Sequence, residues 1–432
     1  MMIRSKRPIT LALTGLLTLS LPLSVPTEVY TQQPMTGCTN PDAPITPEEE
    51  RIEDGAPIPG RILKDSRFDQ YVKAFERDLC QAPDVNTAKK LIPVHGSRLW
   101  QTAVDRAQGK CPDLGALDRY DDRPLYWARL HMTRTLRQWD PEFKLTESQK
   151  KTLIQELEYT TRGIRSIDFP KGDDVRRVLV SGFDPYRLEH EFRRSNPSGA
   201  AALQLDGKRI MTEEGPAVIQ SALFPVRWQD FEEGIVEDTF GPYLKKGPER
   251  IDLMMTISQG RQRQMDIEGF AGRWHTGTDN NEETRDEEIP MVSRWPMPSP
   301  LPEFIETTLP VQAMIDADTG PWPVQRNDEV CEWLPPDFED PYTCHDGGPT
   351  PGSKAQAGGG GNYLSNESQY RSNRLRVGLG AEDIPGGHLH NAALEFYPED
   401  PSIYIDPKFR EHRQVTVDQT VALVEAAARA LD

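Results

Sequence analysis

The order of apolar runs between residues 175 and 260 limits the fold of this chain more than any other feature. Arg177-Val178-Leu179-Val180-Ser181-Gly182-Phe183 is a short β-branched run ending at Gly and Phe, the pattern of a buried strand. Asn196-Pro197-Ser198-Gly199, before a run of alanines, is the start of a helix. Phe224–Trp228 reads as a second strand, Asp230–Leu244 as a helix and Ile251–Ser258 as a third strand. Strand, helix, strand, helix, strand predicts an α/β domain with a mostly parallel twisted sheet and helices on both faces. Ligands of such sheets bind beyond the carboxyl ends of the strands, which makes the loop from Gln259 to Glu268 part of the expected site. Val417, Val421, Val424 and Ala428 share one face of a closing helix.

A helical N-terminal region, residues 61–165, is expected before this domain, which runs over 170–432 with loop insertions at about 273–300 and 316–361. Phe68, Tyr71, Val72 and Phe75 recur at helical spacing. Asp122-Arg123-Pro124 and Thr146-Glu147-Ser148-Gln149 each have the chemistry of a helix start. His95 and His131 lack companions that would make them ligands. The region reads as a helical cap or a surface for a protein partner. Residues 27–60, rich in Pro, Thr and acid, read as a flexible tether.

Arg4, Lys6 and Arg7 precede an apolar run from Ile9 to about Val25, the pattern of a signal peptide over residues 1–26. The chain is therefore expected to be exported, to the periplasm, cell surface or medium, with no stable membrane span after cleavage. Met35-Thr36-Gly37-Cys38 has the look of a lipoprotein box, but polar residues Thr27 to Gln33 separate it from the apolar run. The net charge of −18 argues against nucleic acid as a partner. In an exported chain the cysteines are disulfide candidates: Cys331 with Cys344, Cys80 with Cys111, and Cys38 left over.

The chemistry concentrates near the C-terminus. Gly358-Gly359-Gly360-Gly361-Asn362-Tyr363-Leu364-Ser365-Asn366-Glu367 is a glycine run leading into a helix start, and Pro385-Gly386-Gly387-His388-Leu389-His390 follows. A hydroxyl at a helix N-terminus with an imidazole in reach has the elements of acyl transfer: a base, and N–H groups for an oxyanion. The competing role for Ser365 is a helix N-cap. His388 and His390, on alternate strand positions, are also half of a metal site, but no further ligands accompany them and no metal or cofactor is expected.

Residues 175–432 resemble the pyroglutamyl-peptidase I family, thiol peptidases that remove an N-terminal pyroglutamate. Ser181-Gly182-Phe183-Asp184-Pro185-Tyr186, then Asn196-Pro197-Ser198, is similar to the family's Thr-Gly-Phe-Glu-Pro-Phe-Gly-Gly and Asn-Pro-Ser. Phe224-Pro225-Val226 looks like its Leu-Pro-Val strand, and Ser258-Gln259-Gly260-Arg261 with Glu268 looks like its Gly-Gln-Ala-Gly-Gly-Arg and catalytic Glu. Gly361-Asn362-Tyr363-Leu364-Ser365-Asn366 matches the frame Ala-Gly-Thr-Tyr-Val-Cys-Asn, and Gly387-His388-Leu389-His390 matches Gly-Phe-Ile-His. The resemblance implies a three-layer α/β/α domain with Ser365 in the nucleophile's place, His390 as base and Glu268 orienting it, and with Phe183, Tyr186, Asn196 and Gly361 around a peptide or small amide substrate. Three departures stand out: Ser365 replaces the thiol, Arg187 and Leu188 replace paired glycines, and the loop from Gly260 to Gln264 is short and Arg-rich. The expected activity is hydrolysis of a pyroglutamyl or related amide bond. The alternative is a catalytically dead relative that binds a peptide end or a protein partner.

Overall fold

In the computed structural model, residues 37–111, 115–172, 174–396 and 398–431 are described; the expected signal peptide lies outside them. Helices α1 (Pro47–Asp54), α2 (Ile58–Asp65), α3 (Asp69–Cys80), α4 (Val85–Ala107), α5 (Arg123–Gln138) and α6 (Glu147–Thr161) come first. The expected tether therefore ends earlier than residue 60. Thr46 and Glu49 close a reciprocal capping box on α1, and Ile58 and Ile62 of α2 are buried. Pro124 sits in the first turn of α5, and Thr146 with Gln149 forms a second capping box on α6.

The α/β part follows as β1 (Arg176–Phe183), α7 (Pro197–Leu205), β2 (Lys208–Thr212), β3 (Gly215–Phe224), α8 (Trp228–Glu232), α9 (Ile235–Leu244), β4 (Leu253–Gln262) and β5 (Met265–Glu268). Short strands β6 (Phe270–Gly272), β7 (Trp274–Thr278), β8 (Thr284–Glu288) and β9 (Phe304–Glu306) lead to α10 (Val311–Asp316). Then come β10 (Val324–Asn327), β11 (Val330–Trp333), β12 (Thr343–His345), β13 (Lys354–Ala357), α11 (Leu364–Gly378), β14 (Gly386–Ala393) and α12 (Pro407–Arg429). The stretches expected as loop insertions thus carry β7 and β8, and β10 to β13.

The main sheet has seven strands in the order β10-β5-β14-β4-β1-β3-β2. Its centre, β14-β4-β1-β3, is parallel; β2 runs antiparallel to β3, and β5 antiparallel to β14. Strand alternation sorts the side chains into two layers. Val178 and Val180 of β1, Met255 and Ile257 of β4 and Leu389 of β14 pack with Val417 and Val424 of α12. Leu179, Met254 and Val218 face the other way, with Phe240 of α9 and Leu375 of α11. His388 and His390 alternate with Leu389, so both belong to the α11 side of the sheet.

The N-terminal helices share one core with the α/β part. Leu99 and Trp100 of α4 and Leu125 of α5 cluster with Leu188, Ala202 and Leu223. Disulfides join Cys38 to Cys80 and Cys331 to Cys344, and Cys111 is free, so the expected Cys80–Cys111 pair is corrected. The bridge between Thr39 and Trp139 lays the start of the described chain against α5, which packs on α3, and Cys38 thereby reaches Cys80 at the end of α3.

Candidate active site

The site residues come from β14, from the end of the antiparallel β5, from the segment after β1 and from the start of α11. His390 is on β14. Its Nδ1 is 2.6 Å from Glu268 Oε1 at the end of β5, two strand positions from its direct partner Asp266. Burial pushes the Glu268 carboxyl above the usual carboxylate range, while its hydrogen bond to His390 and that ring's charge pull the other way. The second Glu268 oxygen accepts from Asn327 Nδ2 at 2.9 Å, and the same amide donates to the Gly359 carbonyl at 2.8 Å. Asn327 thus ties the carboxylate to the glycine run. Nothing in the sequence singled it out, because β10 falls in a stretch read as loop.

The glycines are dictated by close approach. A Cβ on Gly359 would stand 2.4 Å from Glu268 Oε2, and one on Gly360 would stand 3.2 Å from His390 Cε1. From the other side, a Cβ on Gly260 would lie 2.7 Å from His390 Cβ. The imidazole is held between two backbones. Gly361 has a different reason: it closes a tight turn with Gly358 at φ +79°, with open space where its Cβ would be. It does not line the cavity, whereas Gly360 does. The expected place of Gly361 at the cavity is therefore corrected: its neighbour Gly360 stands there instead.

Ser365 is the second residue of α11, not its N-cap. The cap is Tyr363, whose side chain accepts no backbone N–H. Ser365 Oγ donates to the Gly360 carbonyl at 3.2 Å. Its neighbours fix the helix start: Asn366 bonds to Gly272 N–H at 2.8 Å and to the Gly272 and Trp274 carbonyls. Glu367 is fully buried, yet the Arg371 guanidinium and a 2.6 Å bond to His275 hold its carboxyl below the usual range against that burial. The N–H groups of the first turn, Ser365 and Asn366 among them, have no intrahelical acceptor.

Ser365, His390, Phe183, Tyr186 and Asn196 all border one cavity of about 550 Å³; Glu268 lies behind the imidazole and does not reach it. Phe183 ends β1, stacked on Phe231 at 6.0 Å, and shapes the cavity from within the core. Tyr186 is half-buried, its ring 6.4 Å from that of Tyr363. Asn196 uses its amide on the protein itself: Oδ1 accepts from Ser198 N–H, and Nδ2 donates to the Asp184 carbonyl at 2.9 Å. It therefore braces the wall with its oxygen and one N–H. Sequence reasoning missed Asp279 and Asn280, which also line the cavity. They follow β7, in a polar stretch with no motif.

His388 is fully buried between Thr256 Oγ1 at 2.7 Å and Ser258 Oγ at 2.8 Å, and burial holds it well below the usual imidazole range. Both its nitrogens are engaged by hydroxyls, which leaves none for a metal. Among the described residues no group of His, Cys, Asp and Glu is arranged to hold one.

The wall formed by residues 183–189 is supported from the N-terminal helices. Arg129 of α5 donates to both Asp184 oxygens at 2.8 and 2.9 Å, and Arg162 donates to one at 2.6 Å. Glu48 of α1 accepts from Asn280 at 2.9 Å and from Tyr126 at 3.0 Å.

Fold and site together define a three-layer α/β/α protein whose carboxylate–imidazole pair and helix-borne serine border one cavity, its wall braced by a helical N-terminal region. The family model for the PA0049 N-terminal domain matches residues 30–158, and that for the PA0049 C-terminal domain matches residues 177–287 and 323–395. Uncharacterized protein PA0049 of Pseudomonas aeruginosa is 32% identical, over 92% of this chain and 92% of its own length. The chain belongs to this PA0049 family. Among solved structures, pyroglutamyl peptidase I from Bacillus amyloliquefaciens overlaps 59% of this chain and 94% of its own, at 17% identity and a TM-score of 0.38. A second structure of that enzyme overlaps 58% of this chain and 97% of its own, at 18% identity and a TM-score of 0.36. No helix among the described residues is long and apolar enough to cross a membrane.

Proposed function

We propose that this protein is an exported hydrolase that cleaves an N-terminal pyroglutamyl or related amide bond through Ser365, His390 and Glu268. The observation that carries the reading is the 2.6 Å contact between Glu268 and His390 Nδ1, beside a cavity that Ser365 also lines. With Nδ1–H donated to the carboxylate, Nε2 is the nitrogen left to take a proton. Ser365 Oγ attacks the carbonyl carbon as its proton passes to Nε2. First-turn N–H groups of α11 hold the developing oxyanion. Collapse of the tetrahedral species expels the amine, which takes the proton from His390. Water, deprotonated by the same imidazole, then releases the acyl group from Ser365. No metal or cofactor enters these steps. The pyroglutamyl specificity rests on the order of the sequence fragments, and export rests on the N-terminal basic and apolar pattern.

The test is a pair of rates on a fluorogenic pyroglutamyl amide, for the mature protein and its Ser365→Ala variant. Turnover that disappears in the variant supports the reading; no turnover by folded wild type refutes it. A second reading, a binding protein without turnover, has one observation in its favour: Ser365 Oγ donates to the Gly360 carbonyl and not to His390. Ser365→Cys separates the two. A thiol at this position ionises beside an imidazole without needing that hydrogen bond, so activity gained only in the Cys variant would favour the binding protein.

A further inference from the structure

The cavity beside Ser365 and His390 has one Arg in its lining and no Lys. Arg187 is exposed at its rim, and no carboxylate lies within ion-pair distance of its guanidinium among the described residues. The acids near it are engaged elsewhere. Glu189 pairs with Arg51 at 3.3 Å and His190 at 3.5 Å. Asp279 accepts the backbone N–H groups of Trp228, Asn281 and Glu283, and burial pushes its carboxyl up. On a chain of net charge −18, where most arginines are matched, a cation left open over a cavity marks a place for an anion.

The backbone supports the same conclusion. Arg187 has φ +57°, in the left-handed region that a non-glycine residue enters only at a cost. The segment is held there from several sides. Asp184 carries Arg129 and Arg162, Asn280 Nδ2 donates to the Pro185 carbonyl at 3.1 Å, and Leu188 is fully buried in the core of the N-terminal helices. The guanidinium lies over the Tyr186 ring, 5.5 Å from its centroid, which limits where it points. A strained conformation kept by so many contacts places one planar cation at the rim of the cavity.

We propose that this pocket binds its substrate through an anionic group, with Arg187 as the counter-ion: the substrates are peptides or amides whose terminal acyl residue carries a carboxylate, in preference to neutral ones. The proposal takes from the hydrolase reading only which part of the substrate enters the cavity. It is tested by binding, without turnover. Calorimetry with the Ser365→Ala protein compares glutarate with its neutral diamide. Glutarate is expected to bind about ten- to a hundredfold tighter, the effect of one charge-assisted hydrogen-bonded pair, and the preference should shrink as salt is raised. Arg187→Gln removes the preference, and Arg187→Lys restores part of it. Equal binding of the two ligands, a preference that survives Arg187→Gln, or no binding of either overturns the proposal. The pyroglutamyl-amide rates answer the separate question of hydrolysis. A charge preference with no turnover of either the pyroglutamyl amide or a glutaryl amide would sink the hydrolase reading alone, and turnover without a charge preference would sink this inference alone.

Discussion

Asp184 is the point at which the N-terminal helices grip the cavity wall, and its removal can be worked through from the geometry. The carboxylate is buried, accepts from Arg129 at 2.8 and 2.9 Å and from Arg162 at 2.6 Å, and sits one residue past Phe183. Breaking a buried pair by deleting one member costs about 3–5 kcal/mol, because the survivor is left charged and desolvated. Asp184→Asn leaves Arg129 with no carboxylate in contact, while Arg162 keeps Glu158 at 2.7 Å; a cost of about 3–5 kcal/mol is expected. Arg129→Met should cost less, roughly 1–2 kcal/mol, because Asp184 retains Arg162. Moreover, Arg129 buries Nε and one Nη without partners, and burial followed by the charge of Arg162 holds it below the usual arginine range. Once Asp184 is Asn, removing Arg129 relieves the stranded cation, so the double variant should be about 2 kcal/mol more stable than the sum of the single effects predicts. Urea unfolding followed by tryptophan fluorescence measures all four proteins. If Arg129→Met is as damaging as Asp184→Asn, or if the two effects simply add, the wall is not held by this pair.

Three more outcomes follow from the same contacts. Burial pushes Asp206 from an ordinary value of 3.8 up to about 6, so its proton stabilises the fold below pH 4 and that contribution is lost as pH rises through 6. The stability of Asp206→Asn relative to wild type should therefore rise by roughly 2 kcal/mol between pH 4 and pH 7 in urea titrations, and a constant difference would contradict it. Gly359→Ala puts a methyl 2.4 Å from Glu268 Oε2 and should cost about 1–3 kcal/mol with loss of activity, whereas Gly361→Ala meets open space and should cost about 1 kcal/mol with activity kept. Alkylation of the folded, unreduced protein should label Cys111 alone in a peptide-mass measurement; a label on Cys80 or Cys38 would refute the observed pairing.

The sequence was legible where one local rule decides. The capping residues at Thr146, the proline at the start of α5 and the β-branched run of β1 each became the element that their chemistry calls for. The pairing of Glu268 with His390, 122 residues apart, is visible only through the order of motifs, because no periodicity links β5 to β14. Other elements are decided by partners. β3 begins at Gly215, with Pro216 and two polar residues interrupting its apolar pattern, so only its last residue falls in the expected Phe224–Trp228 strand. Arg227 and Trp228 leave the strand for α8, where the backbone N–H of Trp228 is taken by Asp279. The capping box of α1 was present in Thr46 and Glu49, but Pro47, Pro57 and Pro59 made the stretch look like a tether. Strands β10 to β13 are three or four residues long, too short for a period to show, and they exist because the neighbouring strands complete their hydrogen bonds.

The start of α11 reads differently beside the other long helices. α4, α6 and α12 are each capped by a side chain, Asp84, Thr146 and Asp406, that accepts a first-turn N–H, and the first N–H of α5 goes to Asp121. At α11 the cap is a tyrosine that accepts nothing, although serine and asparagine, the residue types that cap best, stand two and three positions further on. Shifting the helix start by two residues would make Ser365 a cap and turn its Oγ to the N–H of Glu367 or Ser368. The shift is blocked because Asn366 is bound to the backbone of β6 and β7, and Glu367 to His275 and Arg371. The contacts that hold the first turn in register therefore also keep its N–H groups open and Ser365 Oγ out of a capping role. α3 and α9 also start without a side-chain cap, so what the hydrolase reading uses at α11 is the position of its open first turn, beside Ser365 and the cavity.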